Sequence, residues 1–422
     1  MKKILAFMII AVLALAVFAG CNREEESTIQ PDVDQADTEQ PAEEQATVEQ
    51  PAADGPTVEL LIWGPHGGQE FLNIAAERFA EMHPGTNFEF SFGIVGEGDA
   101  RERFFEDPAS AADVFAFADD HLHELVDAGA LYQVTRNLAD IQARNLDSAV
   151  YIATINDAMW AYPQTADNGY FWYYDRSVLS SEDVQSLDRI IEVSLENDLR
   201  FTFPIDVAWI TASWFLAQGS LGLDGDRQVV DFNNQYGYDA ALAMIAMVES
   251  GAWASGWVDE LVEGIGTTMS GGVGGTWMAD DIAERLGDNF GATSLPTATI
   301  GGSQVQLSSF MGTKLVGVNS QTEHPVWAMD FADFLTGEEM QLLNFEMNGI
   351  GPSNATVAES DAVRANPALA ALAAQSFFAF PQRDVQGSYW DAVEAFGTAV
   401  ANREVTDLQA LLDEMVAQIM GH

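Results

Sequence analysis

Residues 160–176 read Trp160-Ala-Tyr-Pro-Gln-Thr-Ala-Asp-Asn-Gly-Tyr-Phe-Trp-Tyr-Tyr-Asp-Arg176. Aromatic side chains crowd both ends, with Asn168-Gly169 between them as a breaker. That is too punctuated for a helix and predicts two short strands meeting at a bend. The plain reading is a core hairpin, because rings suit a pleated, half-buried surface. The sharper reading is a crossing between two lobes, with Asp167 and some of the rings turned toward a ligand. The flanking sequence bears on the choice.

Upstream, Val58-Glu-Leu-Leu-Ile-Trp63 reads as a buried strand ended by the turn Gly64-Pro-His-Gly-Gly68. A helix follows over 69–83, with Phe71, Leu72, Ala75, Phe79 and Met82 on one face, and Pro84-Gly85 stops it. A second strand over 87–94 alternates Phe88, Phe90 and Phe92. Strand, helix, strand predicts a parallel sheet with helices on its faces. Residues 112–118 form a third strand, followed at once by Asp119-Asp120 and a helix through Leu122 and Leu125. Ligands of open parallel sheets collect beyond the carboxyl ends of the strands, which places residues 63–68 and 117–121 on one rim. Asp120 reads equally as a helix N-cap or as a ligand contact, and one carboxylate can do both.

Downstream, residues 200–205 read as a strand leading into Asp206-Val-Ala-Trp209 and a helix carrying Trp214, Phe215 and Leu216. An apolar helix covers 239–248. Gly271-Gly-Val-Gly-Gly-Thr-Trp277 reads as a glycine-rich loop ahead of a helix over 278–286. It lacks the preceding strand and the Lys-Ser/Thr pair of a phosphate loop, so the glycines are read as room for backbone to approach a ligand near Trp277. A short strand at 315–318, helices at 324–335 and 337–347, and helices at 388–401 and 406–420 complete the chain. Tyr389-Trp390-Asp391 opens the first of the last pair.

The ends and the charge narrow the class. Lys2 and Lys3 precede an apolar run over 4–19, too short to span a membrane, so residues 1–20 read as an export signal. Cys21 is the single cysteine, and Phe18-Ala19-Gly20-Cys21 resembles a lipobox, with Phe18 in place of the usual leucine. Acylation there would anchor the protein to the outer face of a membrane and leave no disulfide. Residues 21–56 are rich in Glu, Asp, Gln and Pro, with Arg23 the one cation, and read as a disordered acidic tether. The formal charge is −48, with Lys+Arg 17 against Asp+Glu 65. Such a surface repels phosphate backbones, which excludes nucleic acid as a partner, and it fits a saline habitat where counter-ions screen self-repulsion. No cofactor motif is present. A metal-ion binder is disfavoured: His121 and His123, in the one local cluster of candidate ligands, point to different faces of a helix, and Tyr173 and Tyr174 to opposite faces of a strand. A surface glycosidase would need two carboxylates, and with so many acids no pair is specific.

The order of elements resembles the extracellular solute-binding proteins of ABC importers, in particular the maltose/maltodextrin-binding branch. The resemblance spans 58–420. It is carried by Glu59-Leu-Leu-Ile-Trp63, Ala112-Asp-Val-Phe-Ala-Phe117, Ala161-Tyr-Pro163, Trp172-Tyr-Tyr-Asp-Arg176, Gly275-Thr-Trp277, Ser294-Leu-Pro296 and Tyr389-Trp390. It implies an α/β, two-lobed periplasmic-binding-protein fold with several chain crossings and a ligand cleft between lobes. The N-lobe is expected at 57–167 and 298–355, the C-lobe at 168–297 and 356–422. It further implies a monomer without catalysis, which captures an oligosaccharide of the maltose/maltodextrin type and delivers it to a membrane permease. Position by position, the aromatic platforms fall on Phe117, Trp209, Trp277 and Trp390, and the hydroxyl-binding carboxylates on Asp120 and Asp167. Trp63 on the rim, Asp206 and Asp391 complete the candidate ligand-binding set. Gly67 and Gly68 replace the family's polar pair, His121 replaces a basic residue, and Asp391 and Glu394 replace a tyrosine and an arginine. These changes remove donors and add acceptors, so the carbohydrate class is better founded than maltose itself.

Overall fold

The computed structural model describes residues 46–48, 55–225 and 227–421. The export signal, Cys21 and most of the acidic tether lie outside the described residues. No helix among the described residues is long and apolar enough to cross a membrane.

The first lobe is built on a six-stranded sheet in the order Ala46–Val48, Asn87–Ile94, Thr57–Gly64, Val114–Ala118, Lys314–Val318, Tyr162–Pro163. Val58, Leu60 and Ile62 alternate inward on one strand, and Phe88, Phe90 and Phe92 on its parallel neighbour. Helices Gln69–Glu81 and Pro325–Leu335 cover that side. Phe79 meets Phe88 and Phe331 edge-on, each with ring centroids 5.3 Å apart. Each fully buried ring of this kind stabilises the fold by roughly 2–3 kcal/mol. The sheet is mixed rather than parallel throughout: Lys314–Val318 runs antiparallel to Val114–Ala118. That strand arrives from the other lobe instead of through a helical crossover, so nothing constrains it to run parallel.

The second lobe holds a five-stranded sheet in the order Trp253–Ala254, Arg200–Thr202, Met269–Gly274, Phe171–Asp175, Phe290–Thr293. Here the structure corrects the sequence reading. The glycine-rich segment is the central strand, buried along its whole length, and not a loop. Its glycines allow close approach of neighbours: a Cβ on Gly272 would lie 2.1 Å from Thr202 Oγ1. Tyr173 and Tyr174 do point apart, one into the small core with Leu261 and Ile282, the other into the large core with Trp172 and Trp214.

The opening stretch runs from one sheet to the other. Tyr162–Pro163 closes the first sheet, and Phe171–Asp175 is internal to the second. Between them Asn168–Gly169 pairs with Ser309–Gly312, which in turn pairs with Ala379–Pro381. The first two crossing segments and the strand Ala379–Pro381 therefore form one small sheet at the pivot, while the third crossing passes beside the first at Gly351–Pro352, before helix Pro367–Gln375 packs into the second lobe. The first return was expected from residue 298; instead the hairpin Thr297–Ile300 with Ser303–Gln306 buries Ala298, Ile300 and Val305 in the second lobe's core. The chain joins the first sheet only at Lys314. Helices Gly387–Ala401 and Leu408–Ile419 pack on the second lobe, the latter capped by Asp407, which accepts from Ala410 N.

Candidate functional site

A cleft of about 890 Å³ opens between the two sheets and takes wall residues from both. The carboxyl ends of strands Thr57–Gly64 and Val114–Ala118 deliver Trp63, the glycine turn after it, Asp120 and His121. Opposite stand Trp209 at the start of helix Ala208–Phe215, Trp257 ahead of helix Val258–Gly264, and Trp277 just after the glycine strand.

The three indoles form one aromatic wall. Trp209 and Trp277 have centroids 6.0 Å apart, with planes inclined by 31°, and Trp257 lies 6.3 Å from the first and 6.2 Å from the second. Each is fixed from behind. Tyr170 packs edge-on against Trp209 at 4.6 Å and donates to its carbonyl at 2.7 Å. Trp257 Nε1 donates to Val273 O at 3.2 Å. Gly275 leaves space for the Trp277 ring, since a Cβ there would lie 2.1 Å from it. The rings remain half-buried and face the cleft.

The facing wall is charged. Lys314 Nζ lies 3.3 Å from Glu97 Oε1, with side chains 12% and 15% exposed, and 5.6 Å from the Trp277 centroid. Burial works to lower the ammonium's pKa, but Glu97 and then Asp167 outweigh it and hold it above the ordinary value. Arg101 also lines the cleft and pairs with Glu124 at 3.0 Å. Burial depresses the His121 ring against the pull of Asp120, which keeps it neutral at neutral pH. Asp119 is completely buried, and burial followed by the Asp120 charge pushes its carboxyl well above the usual range.

Of the sequence candidates, Trp63, Asp120, Trp209, Trp277 and Trp390 line this cleft. Trp63 is 8% exposed and edge-on to Phe115, so it offers a rim rather than a free face. Asp120 makes no helix cap, because helix Leu122–Asp127 begins without a side-chain cap bond. Phe117 must be withdrawn as a platform. Val114, Ala116 and Ala118 turn toward the cleft, so the period of the strand sends Phe115 and Phe117 into the core, centroids 5.6 Å apart. Asp167 does not line the cleft either. It is 1% exposed, and its Oδ2 accepts from Thr276 Oγ1 at 2.9 Å and Gly351 N at 2.7 Å, which ties the two lobes beside the first crossing. Asp206 is half-buried and stands outside the lining, three residues before Trp209. Asp391 faces a separate shallow groove behind Trp390, shared with Arg101 and Glu124.

The wall residues that escaped the sequence reading include Glu97, Arg101, Trp257, Lys314 and Gln382. His121 and His123 diverge as expected. The first is 5% exposed in the cleft, and the second pairs at 3.0 Å with Asp384 across the pivot.

Two α/β lobes joined by three crossing segments around an aromatic and charged cleft define a two-lobed binding protein. The sequence agrees: the model of the bacterial extracellular solute-binding protein family matches residues 75–371, and the chain belongs to that family. A curated relative, the galactooligosaccharide-binding protein of Bacillus subtilis (strain 168), is 19% identical over 432 residues, covering 97% of this chain and 95% of its own. A structure solved with acarbose superposes with a TM-score of 0.79 at 27% identity, covering 86% of this chain and 99% of the other. The maltodextrin-binding protein of L. casei BL23, solved without ligand, gives 0.72 at 22% identity with the same coverage.

Proposed function

We propose that this chain is the substrate-binding component of an ABC importer and captures an oligosaccharide of the maltodextrin type between its lobes. The observation that carries the reading is the wall of three mutually packed indoles, Trp209, Trp257 and Trp277, facing the Glu97–Lys314 pair across the cleft. A pyranose has C–H faces that suit indole rings and hydroxyls that need donors and acceptors, and an unpaired buried hydroxyl costs about 1–3 kcal/mol. Lys314 and Arg101 supply donors; Glu97 and Asp120 supply acceptors. The acarbose and maltodextrin ligands named for similar structures support the glucan reading.

Binding works by population shift. A ligand that touches both walls favours the closed arrangement by its extra contacts there. The closed protein, a monomer held to the outer face of the membrane by a lipid on Cys21, then delivers the sugar to the permease without turning it over. A Cys21→Ser variant is expected in the soluble fraction of cells instead of the membrane fraction.

The relative named for galactooligosaccharides supports a second reading, a galactooligosaccharide in the same cleft. Calorimetric titration with maltotriose, acarbose, galactooligosaccharide, ferric ion and zinc separates the two. Saturable heat with maltotriose is the expected result. A response to galactooligosaccharide alone would keep the importer and replace its cargo. Heat with metals alone would overturn the sugar reading.

A further inference from the structure

Gln382 follows directly on Ala379–Pro381, an outer strand of the small pivot sheet, and is 2% exposed. Its backbone N–H donates to Met311 O at 3.2 Å, which pins it to the pivot sheet. Both ends of its amide are engaged. Oε1 accepts from Trp209 Nε1 at 2.8 Å, while Nε2 donates to Asp119 Oδ1 at 2.8 Å and Asp120 Oδ1 at 3.2 Å. An indole N–H can only donate, so the amide has a single satisfactory orientation. One buried side chain thus bonds the second lobe's aromatic wall and the first lobe's carboxylates.

We propose that Gln382 is a positioning residue that couples the two walls, so that a ligand fixing Trp209 on one side favours the binding position of Asp120 on the other. The assignment rests on the oligosaccharide reading of the cleft. Asp119 suits the role. Its buried carboxyl is held toward the neutral form, so a second carboxyl can share the amide without repelling Asp120 at full charge. The amide also lies at the pivot, where a small rotation of one lobe changes the distance between its two partners. A rigid bridge there transmits the position of one wall to the other.

Two variants test this. Gln382→Leu removes both sets of bonds. Gln382→Glu keeps the acceptor for Trp209 but turns an oxygen toward Asp119 and Asp120, with His121 the neighbouring titratable ring. Maltotriose affinity is measured from pH 5 to pH 8, together with the indole N–H resonance of Trp209 in the ligand-free protein. Gln382→Leu is expected to weaken binding about tenfold or more, the loss from leaving buried groups unpaired. Gln382→Glu is expected to match that loss at pH 8 and to recover toward the native affinity as the pH falls, because a proton on the introduced carboxyl restores a donor. A merely structural role would give no such recovery. Native affinity in both variants, or a loss in Gln382→Glu that does not change with pH, would overturn the proposal. If the native protein binds no sugar, the oligosaccharide reading fails, and the Trp209 resonance decides the coupling alone. It must move with pH in Gln382→Glu and stay fixed in the native chain; a fixed resonance in both removes the bridge.

Discussion

The first lobe brings Glu97, Arg101, Asp120 and Lys314 to the cleft, while the second brings Trp209, Trp257, Trp277 and Trp390. Both lobes are rich in rings, but they use them differently. In the first lobe Phe79, Phe88, Phe115 and Phe117 are all inside, the first two edge to face and the last two tilted by 40°. In the second lobe Trp172 and Trp214 fill the core, and a separate group of indoles stays half-buried at the cleft. The difference follows from what ends each strand. Small residues, Ala116 and Ala118, line the first wall and leave room for charges on neighbouring loops. Gly275 in the second clears space for the Trp277 ring itself. A division of this kind makes each wall incomplete: one offers stacking and the carboxylates of Asp280 and Asp281 but no lining cation, the other charged donors and acceptors without a stacking face. Affinity then depends on bringing the walls together.

The comparison can be broken most forcefully at Phe117. Phe117→Ala is expected to destabilise the chain by about 3–5 kcal/mol, the usual loss for a buried ring, and to leave maltotriose affinity unchanged once folded. Chemical denaturation and calorimetry read the two effects separately, and a large change in affinity would return Phe117 to the cleft. Trp277→Ala should do the opposite, weakening maltotriose binding by about 2 kcal/mol, roughly thirtyfold, with little change in unfolding midpoint. On the charged wall, Lys314→Met should cost about 1–2 kcal/mol of binding, since a buried charged donor is lost and Glu97 is left unpaired. An affinity equal to the native value would show that the ammonium serves only Glu97.

The smallest effect concerns Asp119. Its folded pKa is raised, so above the ordinary carboxylate pKa the unfolded chain ionises this group more readily than the folded one does, and stability is lost as pH rises through that range. Asp119→Asn removes this cost. The variant should therefore melt higher than the native chain at pH 7, with the gain vanishing near pH 3. A gain that persisted in acid would assign the effect to packing instead.

Much of the frame could be read from residues alone. The crossing at 160–176 was legible because ring-rich segments flank Asn168-Gly169, and a chain that must leave one sheet for another needs such a break. Phe117 was misplaced for a physical reason. Its strand is apolar on both faces, so alternation gives no clue to which row meets the cleft. The strand Met269–Gly274 was hidden because glycine is depleted from strands, and only the crowding of Thr202 and Trp172 against it explains its presence. Gln382 carried no local pattern, because its partners lie far away in sequence. Lys314 did carry a signal. It is the single lysine beyond residue 3 in a chain of charge −48, and a solitary cation of that type is conspicuous against so many acids.

That solitude also supplies the most direct test of a ligand held between the two walls. Amine-directed methylation of the protein, read by peptide mapping at Lys314, needs no mutation and has one reporter in the folded chain. Methylation should proceed in the free protein as the lobes open and should be strongly slowed by maltotriose at concentrations that saturate the calorimetric titration. An unchanged rate at Lys314 under saturating maltotriose would contradict the account, because the sugar would then be bound without engaging the charged wall.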